Sequence, residues 1–126
     1  MRTRAGGWLA DAFGAVPVAR GRGDRASLER AEALLEAGET VAIFTEGTVR
    51  GGRWSRGAAR LALATGALLV PVRIVGSARA LSRGRVGLPR IRVLVGEPLP
   101  VERSTPTVAA ARALTERLVD TVHAIT

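Results

Sequence analysis

The 126-residue chain is 47% apolar, which excludes a disordered polar segment and suffices for one small domain, assigned to residues 1–126. All 19 basic residues are arginine, and the net charge of +8 points to polyanions: nucleic acid, an anionic membrane surface or a phosphorylated substrate. Without cysteine there is no disulfide, thiolate site or cysteine nucleophile, and one histidine with no acidic cluster at ligand spacing argues against a metal site.

The start, Met1 to Arg4, is basic, but Asp11 breaks the apolar stretch that follows, so no signal peptide is read there. Gly6 to Phe13 reads as a helical turn with Trp8, Leu9 and Phe13 on one side. Gly14 to Val18 reads as a strand, with Pro17 at an edge, a bulge or the strand end. After a Gly- and Arg-rich connection, Asp24 is a good N-cap. Leu28, Ala31, Leu34 and Leu35 recur at helical spacing, so a helix is predicted over 25–37, stopped by Gly38. Val41-Ala42-Ile43-Phe44 then reads as a buried strand, because a short β-branched run fits a sheet interior. Glu46, Gly47 and Thr48 fall at its carboxyl end, where open α/β sheets bind ligands. A carboxylate there needs a cation or donor to offset its desolvation, and Arg20, Arg50, Arg53 and Arg56 are the candidates.

Gly51-Gly52 marks a turn, and a helix is predicted from about 57 to 65, closed by Gly66. Leu68 to Val75 is the next strand. A basic loop with Arg79, Arg83 and Arg85 leads to a strand over 91–95, ended by Gly96-Glu97-Pro98. Ser104 or Thr105 is placed to cap the last helix, with Pro106 in its first turn. Ala111, Leu114, Leu118, Val122 and Ile125 give that helix one apolar stripe. The longest apolar region, 61–72, is interrupted by Thr65, Gly66 and Pro71 and is too short for a transmembrane span. The alternation of strands and helices predicts an α/β fold with a mostly parallel or mixed sheet flanked by helices.

Five short stretches, in order, resemble the motifs of the PlsC-type 1-acylglycerol-3-phosphate acyltransferases. Gly14-Ala15-Val16-Pro17-Val18-Ala19-Arg20 is similar to that family's G-x-x-P-V-x-R motif, and Phe44-Thr45-Glu46-Gly47-Thr48 to its F-P-E-G-T-R motif. Trp54 to Ala62, Val70-Pro71-Val72 and Gly96-Glu97-Pro98-Leu99 resemble the elements that follow. The resemblance runs from Trp8 to about Pro100 and implies a partial glycerolipid acyltransferase-like domain. It implies transfer of a fatty acyl group from acyl-CoA or acyl carrier protein to the hydroxyl of a lysophospholipid acceptor, giving phosphatidic acid, without a cofactor. It also implies a peripheral place on the cytoplasmic face of an anionic membrane. By the same resemblance Arg20 and the third motif's arginine bind the acceptor's phosphate, and Glu46, Gly47 and Thr48 shape the acceptor pocket. Bidentate guanidinium groups and Gly-rich backbone amides suit a phosphate monoester.

Two departures stand out. Thr45 replaces the motif's proline and Val49 its arginine, with Arg50 one position late. Either the loop is rearranged so that Arg50 reaches the phosphate, or acceptor binding is altered, since a one-residue shift on an extended segment turns the side chain to the other face. The family's general base, the His of a His-x-x-x-x-Asp motif, lies upstream of the G-x-x-P-V-x-R motif, and no His precedes that motif here. His123, near the end of the last helix, reads as a surface residue, so no catalytic residue is assigned. The expectation is an N-terminally truncated domain, inactive or weak alone, with an apolar sheet face uncovered and prone to self-association. The alternatives are a non-catalytic phospholipid- or membrane-binding remnant and a basic nucleic-acid-binding module. The scarcity of aromatics for base stacking weighs against nucleic acid as a partner.

Overall fold

The computed structural model describes residues 25–45, 54–76 and 90–126. The chain divides into two compact units, Met1–Ala42 and Ile43–Thr126. The described part of the first unit is a helix, α1, over Arg25–Glu36. Ala31 is buried and Leu28, Leu34 and Leu35 are half-buried, so the predicted apolar face is the one removed from water. Glu29, Arg30 and Glu36 stay exposed, with Arg25 Nε donating to Glu29 Oε1 at 2.9 Å. Such an exposed i,i+4 pair contributes only about 0.3–0.5 kcal/mol. The helix closes as predicted at Gly38, whose φ is +84°. Gly38 N donates to Leu35 O and Glu39 N to Leu34 O, the two bonds of a Schellman motif. The proposed cap Asp24 lies outside the described residues, as do the expected turn at 6–13 and strand at 14–18.

In the second unit, helix α2 spans Gly57–Thr65, strand β1 Val72–Val75, strand β2 Arg92–Val95 and helix α3 Val108–Ala124. The core lies between the two helices and the chain leading into β1. Ala59, Ala62 and Leu63 meet Ala111 and Leu114, with Leu69, Val101 and Ala110 closing around them. Ala58 meets Leu118 and Val122, with Trp54, Leu69 and Leu99 on the rim. The alanines of α2 let the helices approach closely, which compensates for the scarcity of large aromatic side chains. Gly66, in the left-handed region at φ +73°, ends α2 and donates its N–H to Ala62 O. Ser104 N donates to Leu63 O, tying the strand-to-helix connection onto α2.

The stripe on α3 is as predicted at Ala111, Leu114, Leu118 and Val122, all buried. Ile125 falls just past the helix as its C-cap and is half-buried. Thr115 is also buried on this face, its hydroxyl donating to Ala111 O at 2.7 Å, a polar residue that periodicity alone does not select. The cap is Thr107 rather than Ser104 or Thr105: its Oγ1 accepts from Ala110 N at 3.1 Å. Thr107 N donates to Thr105 O, so Pro106 sits in a tight three-residue turn before the helix and not in its first turn.

The fold is α/β, with three helices and a two-stranded sheet among the described residues. That sheet is antiparallel, with Val72 opposite Val95, Arg73 opposite Leu94, Ile74 opposite Val93 and Val75 opposite Arg92. No parallel pair is formed among the described residues, in contrast to the mostly parallel or mixed sheet that alternation predicts. The strands that do pair are those joined by the segment read as a basic loop. The expected buried strand Val41–Phe44 is a correction: it has no strand assignment, and Phe44 is 84% exposed. An apolar run satisfies only the side-chain half of a strand's requirement; its amides also need a ladder, and the described residues supply none.

The predicted strand 68–75 is shortened by Pro71, which has no N–H for the ladder. Pro71 is fully buried and its carbonyl accepts from Gly96 N. Leu69 and Leu99 then exchange two backbone bonds. One residue, Val70, lies between these pairings on one side and two, Glu97 and Pro98, on the other, which is a β-bulge. The bulge absorbs Pro98 and delivers Leu69 and Leu99 to the helical core.

Candidate functional site

The residues that the sequence nominates, Arg20, Glu46, Gly47, Thr48 and Arg50, lie outside the described residues, as does Arg53. The structure defines what flanks the Glu46 segment. Ser55 N donates to Thr45 O at 2.7 Å, so the chain leaves at Thr45 and returns to the same place by Ser55. Ser55 Oγ accepts from Gly57 N at 3.1 Å and satisfies one of the open amides at the start of α2. Thr45 and Ser55 are thus bonded to each other, and Ser55 to the first turn of a core helix.

Trp54 anchors this junction from the other side. Its ring is half-buried against Ala58, Leu118 and Val122. It meets the His123 imidazole edge to face, the centroids 6.2 Å apart and the planes at 82°. His123 is exposed on the last turn of α3, in keeping with a surface role. Its ring contact with Trp54 is a feature that sequence spacing gives no sign of.

Beside this junction an open cleft is lined by Trp54, Arg56, Arg112, Thr115, Glu116 and Asp120. Two guanidinium groups and two carboxylates share it, and Arg112 Nε is held by Glu116 Oε1 at 3.0 Å. The cleft is therefore close to neutral. Arg56, exposed at the N-terminus of α2, is the candidate cation that the described structure brings to the Thr45–Ser55 junction.

A family model described as Acyltransferase matches residues 2–75. The chain belongs to the PlsC-type acyltransferase family. The matched span takes in the stretches ending at Arg20 and Thr48, the Trp54 segment and the Val70-Pro71-Val72 element. The chain is 31% identical over 102 residues to the chloroplastic 1-acyl-sn-glycerol-3-phosphate acyltransferase LPAT1 of Arabidopsis thaliana, covering 74% of this chain and 29% of the relative. It is 30% identical over 102 residues to the corresponding chloroplastic enzyme BAT2 of Brassica napus, covering 74% of this chain and 30% of the relative. The acyltransferase chain thus spans less than a third of the length of these curated relatives. No solved structure matches it.

Proposed function

We propose that the chain forms part of a single acyltransferase domain that moves a fatty acyl group to the hydroxyl of a lysophospholipid such as 1-acylglycerol 3-phosphate, giving phosphatidic acid. The observation that carries this reading is the family match over residues 2–75, which contains both the Arg20 and the Glu46 stretches. The names of the two plant relatives support the choice of acceptor. The donor is a thioester, acyl-CoA or acyl carrier protein, and no further cofactor is invoked. The complete domain is proposed to carry a mixed or mostly parallel sheet, with strands beyond the antiparallel pair described.

In this reading the acceptor's oxygen attacks the thioester carbonyl, a C–O bond forms, the C–S bond breaks and the thiol leaves. Arg20 and Arg50 grip the acceptor's phosphate bidentately. Glu46 keeps those guanidinium forks aimed or accepts a hydrogen bond from the glycerol. Gly47 and Thr48 let the backbone approach the phosphate closely. The bond between Thr45 and Ser55 supports this reading, because it ties together the two flanks of the Glu46 stretch at the start of α2. A base must remove the hydroxyl proton, and the sequence contains no His-x-x-x-x-Asp. Loss of a positioned base lowers the rate by roughly 10²–10⁴. Residues 1–126 are therefore proposed to bind acceptor and to turn it over slowly or not at all. A non-catalytic lipid-binding role is favoured by the same observation.

A peripheral position on the cytoplasmic face of a membrane is part of this proposal. Among the described residues no helix is long and apolar enough to cross a membrane. An acyl-transfer assay with lysophosphatidate and acyl-CoA, run beside calorimetric binding of a short-chain lysophosphatidate, tests the reading. Saturable binding that Arg20→Gln and Glu46→Gln weaken, with little turnover, is the expected result. Robust turnover would refute the missing-base argument, and no saturable binding would refute the acceptor site.

A further inference from the structure

The ring contact between Trp54 and His123 joins two parts of the second unit that lie far apart in sequence. Trp54 immediately precedes Ser55, whose N–H donates to Thr45 O at 2.7 Å. Thr45 in turn immediately precedes Glu46. His123 stands near the other end of the chain, exposed on the last turn of α3 and outside the span that the family model matches. The end of α3 therefore touches the residue next to a bond that ties the two flanks of the Glu46 stretch together.

The family's motif carries proline where this chain has Thr45, and a proline ring holds its own φ near about −65°. Thr45 has no ring, so its backbone is held from outside: among the described residues, by the bond from Ser55 N. Ser55 is itself placed by both of its neighbours. On one side its Oγ accepts from Gly57 N at 3.1 Å, at the start of α2. On the other, the Trp54 ring is packed against Ala58, Leu118 and Val122 and meets the His123 imidazole at 6.2 Å and 82°. Aliphatic neighbours confine a flat ring without fixing its tilt. An edge-to-face aromatic neighbour does fix it, because the ring quadrupoles favour that geometry. His123 is the neighbour of that kind.

We propose that His123 is a positioning residue for the Glu46 stretch, acting through the Trp54 ring on the bond between Ser55 and Thr45. This role deepens the acceptor-site reading and rests on it for its functional consequence, whereas its hold on the Ser55–Thr45 bond can be read without ligand. The whole chain is used, with Trp8→Phe leaving Trp54 as the single tryptophan. In that background His123→Ala removes both the ring and any positive charge at the end of α3; His123→Phe removes the charge and keeps a ring. Amide exchange followed by NMR reads the Ser55 N–H. The Ser104 N–H, which donates to Leu63 O near the other end of α2, is the control. His123→Ala should speed exchange at Ser55 by about three- to ten-fold, shift the Trp54 emission and leave Ser104 unchanged. His123→Phe should restore slow exchange at Ser55.

Calorimetric titration with a short-chain, monomeric lysophosphatidate reads the consequence. His123→Ala should weaken binding by about three- to ten-fold, and His123→Phe by less than about two-fold. Unchanged exchange at Ser55 in His123→Ala, or equal acceleration at Ser55 and Ser104, would overturn the proposal. So would a failure of His123→Phe to recover, which would assign the effect to charge at the helix end and not to the ring. Undiminished affinity in His123→Ala beside saturable binding by the parent would overturn it as well. If the parent itself binds no lysophosphatidate, the acceptor site fails, and the exchange pattern alone decides whether His123 holds the Ser55–Thr45 bond.

Discussion

Gly76→Ala is the sharpest test of the described geometry. Gly76 follows β1 with φ at +93°, and a Cβ built on it would stand 2.4 Å from the carbonyl oxygen of Arg90. Two terms add. Holding a non-glycine residue at positive φ costs about 1–2 kcal/mol. The carbonyl is backbone, not the end of a flexible side chain, so relief requires the Arg90 end of the ladder to move away. Opening the Val75–Arg92 end of the sheet forfeits about one further hydrogen bond, ~1 kcal/mol.

The total is about 2–3 kcal/mol, or a fall in Tm of roughly 10 °C for a chain of this size. Gly66→Ala is the internal control in the same unit: φ is +73°, and the nearest atom is Arg103 Cβ at 3.3 Å, so only the backbone term and slight crowding remain. It should lose about 1–2 kcal/mol. Thermal and urea unfolding followed at 222 nm, with unchanged m-values, reads both. A Gly76→Ala cost no larger than that of Gly66→Ala would refute the close approach of Gly76 to Arg90 and with it the ladder's end.

Thr107→Ala removes the side-chain acceptor of Ala110 N and should cost about 1 kcal/mol in urea unfolding, with fraying confined to the first turn of α3. Leu114→Ala, in the core against Ala59, Ala62 and Leu63, should cost roughly 2–4 kcal/mol; a smaller loss would mean that α2 and α3 do not pack as described. Glu116→Gln, which breaks an exposed pair with Arg112, should change stability by less than about 0.5 kcal/mol. Arg50→Gln should weaken lysophosphatidate binding about ten-fold or more, as Arg20→Gln does, without altering Tm. A silent Arg50→Gln alongside a damaging Arg20→Gln would show that Arg50 does not take the place of the arginine lost at Val49.

The helices were legible because each carries its own punctuation. Gly38 and Gly66 stop α1 and α2 where the apolar spacing ends, and the Leu114/Leu118/Val122 row identifies the buried side of α3. Local chemistry misled only where several residues competed for one role. Ser104, Thr105 and Thr107 can all cap, and the turn at Pro106 decides for Thr107. Strands were harder, since a strand is completed by a partner that its own residues do not name. Val41–Phe44 has the composition of a buried strand yet finds no ladder partner among the described residues, with Phe44 open to water. Pairing direction is likewise nonlocal: nothing in Val72–Val75 or Arg92–Val95 specifies an antiparallel ladder, and the bulge at Glu97-Pro98 follows from a register that only the folded chain shows.

The family was legible in the order of five short stretches, none informative alone, and the match over residues 2–75 takes in four of them. Which sheet face is exposed is legible only in the fold. Composition alone assigns Val72, Ile74, Val93 and Val95 to a core, because apolar residues in strands are ordinarily buried. In the fold all four are exposed, since the other side of the ladder is the one tied to the end of α3, through Arg73 and Ile125.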